Sequence, residues 1–138
     1  MTGENRRANI AADVTRGQEA LESAELLLAA GKLADAVARA YYAIHHLARA
    51  LLLTRDVEVR SHEALRGQFG LHFIRSGKLD ARFGKLLAQV QRFREIADYE
   101  STFTFSHDHA EEEVRASREF VAAAKACLAA DGFLSPNN

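Results

Sequence analysis

The chain has 138 residues, 48% of them hydrophobic and 27% charged, and its formal net charge is −1. That size suits one domain, residues 1–138, with a core over about 5–130 and a tail at 131–138. The near-neutral balance excludes a protein held on nucleic acid by bulk charge alone.

No apolar run approaches the roughly 18 residues of a membrane span, and the opening MTGENRRANIAADV carries no apolar secretion signal, so no membrane contact is expected. Cys127 is the only cysteine, which excludes an intrachain disulfide and points to a reducing, cytoplasmic setting. Its thiol reads as a small buried hydrophobe on the last helix. Arginine outnumbers lysine 14 to 4, which suits phosphate recognition, but 26 alanines make a GC-rich genome an equally plain source.

A first helix is expected over about Asn5–Ala30, with Ile10, Val14, Leu21 and Leu28 at helical spacing and Gly31 as its stop. A second spans about Lys32–Arg55 on a stripe of Leu33, Val37, Ala40, Ile44, Leu47 and Leu51. After the connector DVEV, Ser61 caps a third helix that carries Leu65, Phe69 and Phe73 and ends near Gly77. The fourth covers about Leu79–Tyr99, with Phe83, Leu86, Val90, Phe93 and Ala97 inward. Asp108 and Glu111 form a capping-box pattern for the last helix, which runs to about Ala130. No window alternates like a strand. The fold predicted is all-α: an antiparallel up-and-down bundle of four to five helices, with Ala122, Ala123, Ala124 and Ala126 letting neighbours approach closely.

Three stretches hold chemistry. In RAYYAIHH, Arg39, Tyr42, His46 and, one turn on, Arg49 fall opposite Ile44 and form a polar-aromatic stripe, while His45 points beside the core near Tyr41 and Leu52. The stripe reads as a solvated face or as a ligand or dimer surface. In RSHEALRGQFGLHF, His62 lies in the first turn of the third helix, where the helix dipole favours a neutral ring. It reads as a proton acceptor or as a polar residue closing the bundle end, and His72 as a packed residue. In RFREIADYES, Arg94 lies about 40° from Val90, inside the apolar sector. A buried, unpaired guanidinium costs several kcal/mol, so a partner is required. Asp98, one turn on, is the expected one, either as a structural ion pair or as the residue holding Arg94 ready for a phosphate. Tyr99 follows, facing outward. His107 and His109, with Glu111 and Glu112, make a weak metal pattern that capping explains more simply, so no metal and no other cofactor is expected.

In this order and spacing, RAYYAIHHLARALL, RSHEALRGQFGLHFIRSGKL and RFREIADYES resemble the small stand-alone HEPN-domain proteins of bacteria and archaea, over about residues 12–125. The resemblance implies a helical bundle, commonly a homodimer, often encoded beside a minimal nucleotidyltransferase that acts as antitoxin. Many such proteins are toxins or defence components that cut RNA without a metal. Their motif is an arginine that steadies the phosphate, followed four to six residues later by a histidine that assists the ribose 2′-hydroxyl. Arg94 matches that arginine, but positions 99–101 read Tyr-Glu-Ser, as in a subgroup with an altered nuclease motif. The leading expectation is a module that binds a nucleotide, RNA or a nucleotidyltransferase partner through Arg94, Asp98, Arg39, Tyr42 and His46. The alternative is a metal-independent ribonuclease toxin using Arg94, Tyr99 and His62. The third is a bundle whose motifs serve only packing and dimerisation.

Overall fold

The computed structural model describes residues 2–100 and 102–135, without the side chains of Ala97 and Asp98. Every regular element among them is helical: α1 (Gly3–Ala29), α2 (Leu33–Leu53), α3 (His62–Phe69) running on as a π-helical segment (Gly70–Ile74), α4 (Ala81–Tyr99) and α5 (His107–Ala130). The chain is therefore the expected all-α bundle.

Local chemistry sets the ends. Thr2, Ser61, Asp80 and Ser106 cap α1, α3, α4 and α5, each side-chain oxygen accepting a first-turn backbone N–H. The cap of α5 corrects the D-x-x-E expectation. Ser106, not Asp108, accepts the His109 N–H at 3.1 Å, because the helix begins at His107 and leaves Asp108 inside its first turn. There the Asp108 charge still favours the positive helix end. At the end of α1, Gly31 takes φ 77° and passes its N–H to the Leu28 carbonyl, while the Lys32 N–H returns to Leu27. This is the Schellman closure, and α2 closes the same way on Asp56 at φ 58°.

The axis of the bundle is α2, with buried residues from Ala36 to Leu53 on nearly every turn. Against it α1 lies so close that a Cβ on Gly17 would meet Leu47 Cδ2 at 2.1 Å and the Ala43 carbonyl oxygen at 3.3 Å. The small residues that permit close approach are thus Gly17, Ala20 and Ala24 on α1 with Ala36, Ala40 and Ala43 on α2. The α5 run expected for that role turns outward: Ala122 and Ala126 are exposed and only Ala124 of the four is fully buried. What α5 adds is Phe120 and Val121, together with the Ser117 hydroxyl, which donates to the Ala40 carbonyl at 3.0 Å.

Phe69, Phe73, Phe83 and Phe120 fill the other end, edge to face or stacked at 5.4–5.8 Å. The π-helical turn brings Phe73 over Phe69 at 5.7 Å and 21°. On α4 the core contact is Leu87; Leu86, expected inward, is half-buried because Phe83, Leu87 and Val90 take the line facing the core. The segment expected as a tail starts by folding back. Phe133 and Leu134 pack on the core, and Arg7 lies over the Phe133 ring at 4.9 Å and donates to the Gly132 carbonyl at 3.0 Å. Among the described residues no helix is long and apolar enough to cross a membrane.

Candidate functional site

One side of α2 carries Tyr41, Tyr42, His45 and His46, and three other elements close on it. Tyr41 and His45 are one turn apart, so their rings stack at 5.9 Å and 29°. Tyr41 is only 4% exposed, and its hydroxyl is hydrogen-bonded to Nδ1 of His62, the first residue of α3. From α4, Arg94 lies over both phenol rings, 4.8 Å from the Tyr41 centroid and 5.3 Å from that of Tyr42. It donates from Nη2 to the Tyr42 hydroxyl at 3.1 Å. A guanidinium on an apolar helix face is thus met by two electron-rich ring faces and an oxygen. The Asp98 side chain, its expected partner, lies outside the described residues.

The electrostatics follow from burial. His45 is pushed down to about 4, first by burial and then by its neighbours His62, His46 and Arg49, with Asp13 opposing. His62 is lowered too, by burial first and the Arg94 charge second, whereas the sequence suggested only the helix terminus as a cause. Burial raises Tyr41, and Arg94 pulls the other way. A protonated phenol beside a neutral imidazole has two consistent arrangements: Tyr41 donates to Nδ1 of His62, whose proton then sits on Nε2, or Nδ1–H donates to the phenol oxygen and leaves Nε2 free to accept a proton. His45 Nδ1 is buried without a hydrogen-bond partner among the described residues. His46 faces α1 instead, its Nδ1 3.0 Å from Oδ1 of Asp13, a carboxylate only 7% exposed.

Of the residues singled out in the sequence, Arg94, Tyr42 and His62 share this cluster, and His46 adjoins it. Arg39 is exposed and stacks over the Tyr42 ring at 5.0 Å. Tyr99 is 87% exposed and stands apart. Five residues on a helix separate it from Arg94 by about 140° around the axis, so the two face different ways. His107 and His109 also diverge. The first approaches Glu111 at 3.5 Å in solvent, and the second packs on Phe93 at 4.4 Å with its Nε2 3.4 Å from Glu113. The exposed His107, Asp108 and Glu111 do bring ligand atoms within 4.8 Å of one another.

Tyr41, His45 and Asp13 were not among the site residues read from sequence. A signal existed for two of them: Tyr41, His45 and Arg49 are spaced by four, which aligns them along one side of α2. Around the cluster lie a recess of about 290 Å³, lined by His45, His62, Arg49 and Arg60, and one of about 320 Å³, whose lining includes Tyr42, His46, Arg39 and Arg16 with one acid, Glu19. A fixed cation, neutral imidazoles and open concave surface suit an anionic ligand carrying hydroxyl groups.

A family model described as HEPN domain matches residues 13–132. A Pyrococcus horikoshii protein named UPF0332 protein PH1297 is 46% identical over 70 residues, 51% of this chain and 49% of that relative, so the matched region spans about half of its length. A Methanocaldococcus jannaschii protein bearing the name "Putative toxin MJ0605" is 38% identical over 93 residues, 67% of this chain and 69% of the relative. A Thermotoga maritima UPF0332 protein is 30% identical over 106 residues, 77% of this chain and 80% of the relative.

Proposed function

Because the chain belongs to the HEPN domain family, we propose that it is a HEPN module that binds a nucleotide or RNA through Arg94, Tyr41, Tyr42 and His62, in a toxin–antitoxin or defence-type system. The observation that carries this reading is the seating of Arg94, half-buried over two tyrosine rings. Tyr42 takes one N–H of the planar fork, and the fork has further donors for phosphate oxygens. Partial burial strengthens such a charge-assisted bond relative to water.

A second reading, a metal-independent ribonuclease toxin, draws on the Tyr41–His62 hydrogen bond. With Nδ1–H donating to the Tyr41 oxygen, that bond orients a neutral imidazole near a cation with Nε2 free as a base, and 2′-hydroxyl attack on a phosphodiester needs a base and a cation together. His62 is the base in this reading, as its place in the sequence suggested, and Tyr99 has no part in it, since it stands in solvent on another side of α4. Two relatives bear toxin names, which supports looking for RNA cleavage.

The test is purified protein with single-stranded RNA in excess EDTA, following both binding and cleavage, beside Arg94→Ala and His62→Ala. Binding without cleavage, lost in Arg94→Ala, supports the module. Cleavage that survives EDTA and is lost in both variants supports the ribonuclease. Neither binding nor cleavage of RNA, with no AMP binding, removes both.

The same proposal includes a homodimer through the faces of α2 and α4 around Tyr42 and Arg94, and a minimal nucleotidyltransferase as partner. Aromatic residues and arginine are the types that interfaces enrich. Light scattering at about tens of micromolar, a range set by moderate affinities, is expected to give twice the chain mass; a monomer there removes the dimer.

A further inference from the structure

A larger recess, about 450 Å³, opens between α1, the end of α2 and the connector before α3. Arg16 reaches it from α1, Arg49 from α2 and Arg60 from the connector. Four arginines elsewhere are engaged, Arg82 with Glu119, Arg118 with Glu25, Arg7 with Gly132 and Arg94 with Tyr42, and, among the described residues, others such as Arg75 and Arg115 stand singly on the surface. Arg16, Arg49 and Arg60 make no ion pair or hydrogen bond among the described residues. Two acids stand on the wall against the three cations, Glu58 and Asp13, and Asp13 Oδ1 lies 3.0 Å from His46 Nδ1. In a chain of net charge −1, this is a local positive field on a concave surface, where field lines concentrate.

Its borders lead to the Arg94 cluster. Arg49 and Arg60 also line the recess that holds His45 and His62, and Arg16 also lines the one that holds Arg39, Tyr42 and His46. An anion leaving either side of the cluster therefore passes into the arginine recess. A single phosphate needs only one of these places, whereas a strand with successive phosphates uses them together. Recesses spread over α1, α2 and the connector suit a flexible single strand better than a rigid duplex.

We propose that the Arg16–Arg49–Arg60 recess is a second phosphate position, and that the ligand is a single-stranded RNA held over successive phosphates, not a mononucleotide. This rests on the proposed reading of the Arg94 cluster as a phosphate site and names its substrate class. The three arginines contact the backbone, so they add affinity with little preference for sequence.

The experiment is fluorescence anisotropy in EDTA with a labelled single-stranded RNA of about 12 nucleotides, within the usual range of single-strand sites, and with labelled AMP. Parent, Arg94→Ala and the triple variant Arg16→Gln, Arg49→Gln, Arg60→Gln are compared between about 50 and 200 mM salt. Because the three side chains point to solvent, circular dichroism of the triple variant is expected to match the parent. The expected result is a larger loss of RNA binding than of AMP binding in the triple variant. Its log–log salt slope should be shallower by about 2, from roughly 0.7 per phosphate contact on a single strand. RNA affinity and slope unchanged in the triple variant, but lost in Arg94→Ala, overturn this inference and leave the Arg94 reading in place. AMP binding without RNA binding by the parent does the same. No binding of either ligand removes both. Displacement of the RNA by polyglutamate at equal charge overturns it in favour of an acidic protein partner.

Discussion

The Arg94 guanidinium, the Tyr41 phenol and the imidazoles of His45 and His62 set one another's charge states. Arg94 lies over two rings, and burial first, with the Arg94 charge second, favours the neutral form of His62. His45 is held lower still, at about 4, and the groups that face it are His62, His46, Arg49 and Asp13. The consequence for stability has a definite sign. The folded His45 binds its proton below the unfolded value of 6.5, so between 6.5 and about 4 the unfolded chain carries more protons. Stability is full above 6.5 and falls as pH drops through that window; His62 acts in the same direction. Urea midpoints measured from about pH 7 to pH 5, above most carboxylate titration, should therefore decrease, and His45→Gln should flatten the decrease. An equal pH slope in His45→Gln would assign the effect to other groups. The position of Arg94 within the apolar sector was legible four residues from Val90, because helical periodicity is local. Its acceptor was not: Tyr42 lies 52 positions away, and only the docking of α4 on α2 brings the two together.

Helices were legible as elements because each carries a one-sided stripe and a stop: the structure places the end of α1 at Ala29 before Gly31, and α4 runs to Tyr99 as the stripe indicated. Caps were less so, since Ser106 and Asp108 are both good cap residues and the choice depends on how Phe103 and Phe105 pack before the helix begins. The π-helical turn at Gly70–Ile74 has no sequence signature, since a period of 3.6 still brings Phe69 and Phe73 roughly into line. Gly17 marks the tightest contact between elements and gives a test of it. Alanine is favoured over glycine in a helix interior by about 1 kcal/mol, so propensity alone predicts that Gly17→Ala stabilises. The added Cβ, however, would meet the fully buried Leu47 at 2.1 Å, with a backbone carbonyl behind it at 3.3 Å. Overpacking of that kind costs about 1–3 kcal/mol, so a net loss in thermal or urea denaturation is expected, along with disturbance of His46, whose Cβ is 3.4 Å away. A gain would mean that Leu47 repacks freely. At Asp56 the sign reverses. Its φ of 58° is left-handed and costs an L-residue about 1 kcal/mol, so Asp56→Gly should raise stability by less than that.

Across the whole molecule the apolar anchoring is uneven, and the uneven part carries Arg94. Along α2 burial is nearly continuous from Ala36 to Leu53, with α1 and α5 packed against it. By contrast α4 is anchored by Phe83, Leu87 and Val90 in its first turns, and beyond Val90 the apolar side chains among the described residues, Phe93 and Ile96, are half-buried. Opening free energy follows buried apolar contact, so amide exchange should be slowest in the middle of α2 and faster by a clear margin over residues 91–96 of α4. A ligand that engages Arg94 has to hold that part of α4 against the two tyrosines, and it stabilises only what it touches in the folded state. Adding single-stranded RNA of about 12 nucleotides, a length typical of single-strand sites, is therefore expected to slow exchange over residues 91–96 and around His62, and to leave the centre of α2 as it was. Protection confined to α1 and the connector would place the RNA in the arginine recess without Arg94. Uniform slowing across all helices would show a global gain in stability and no preferred contact at α4. The distinction is readable because the arginine that draws the phosphate sits on the half of α4 with less apolar support beneath it than the half before Val90.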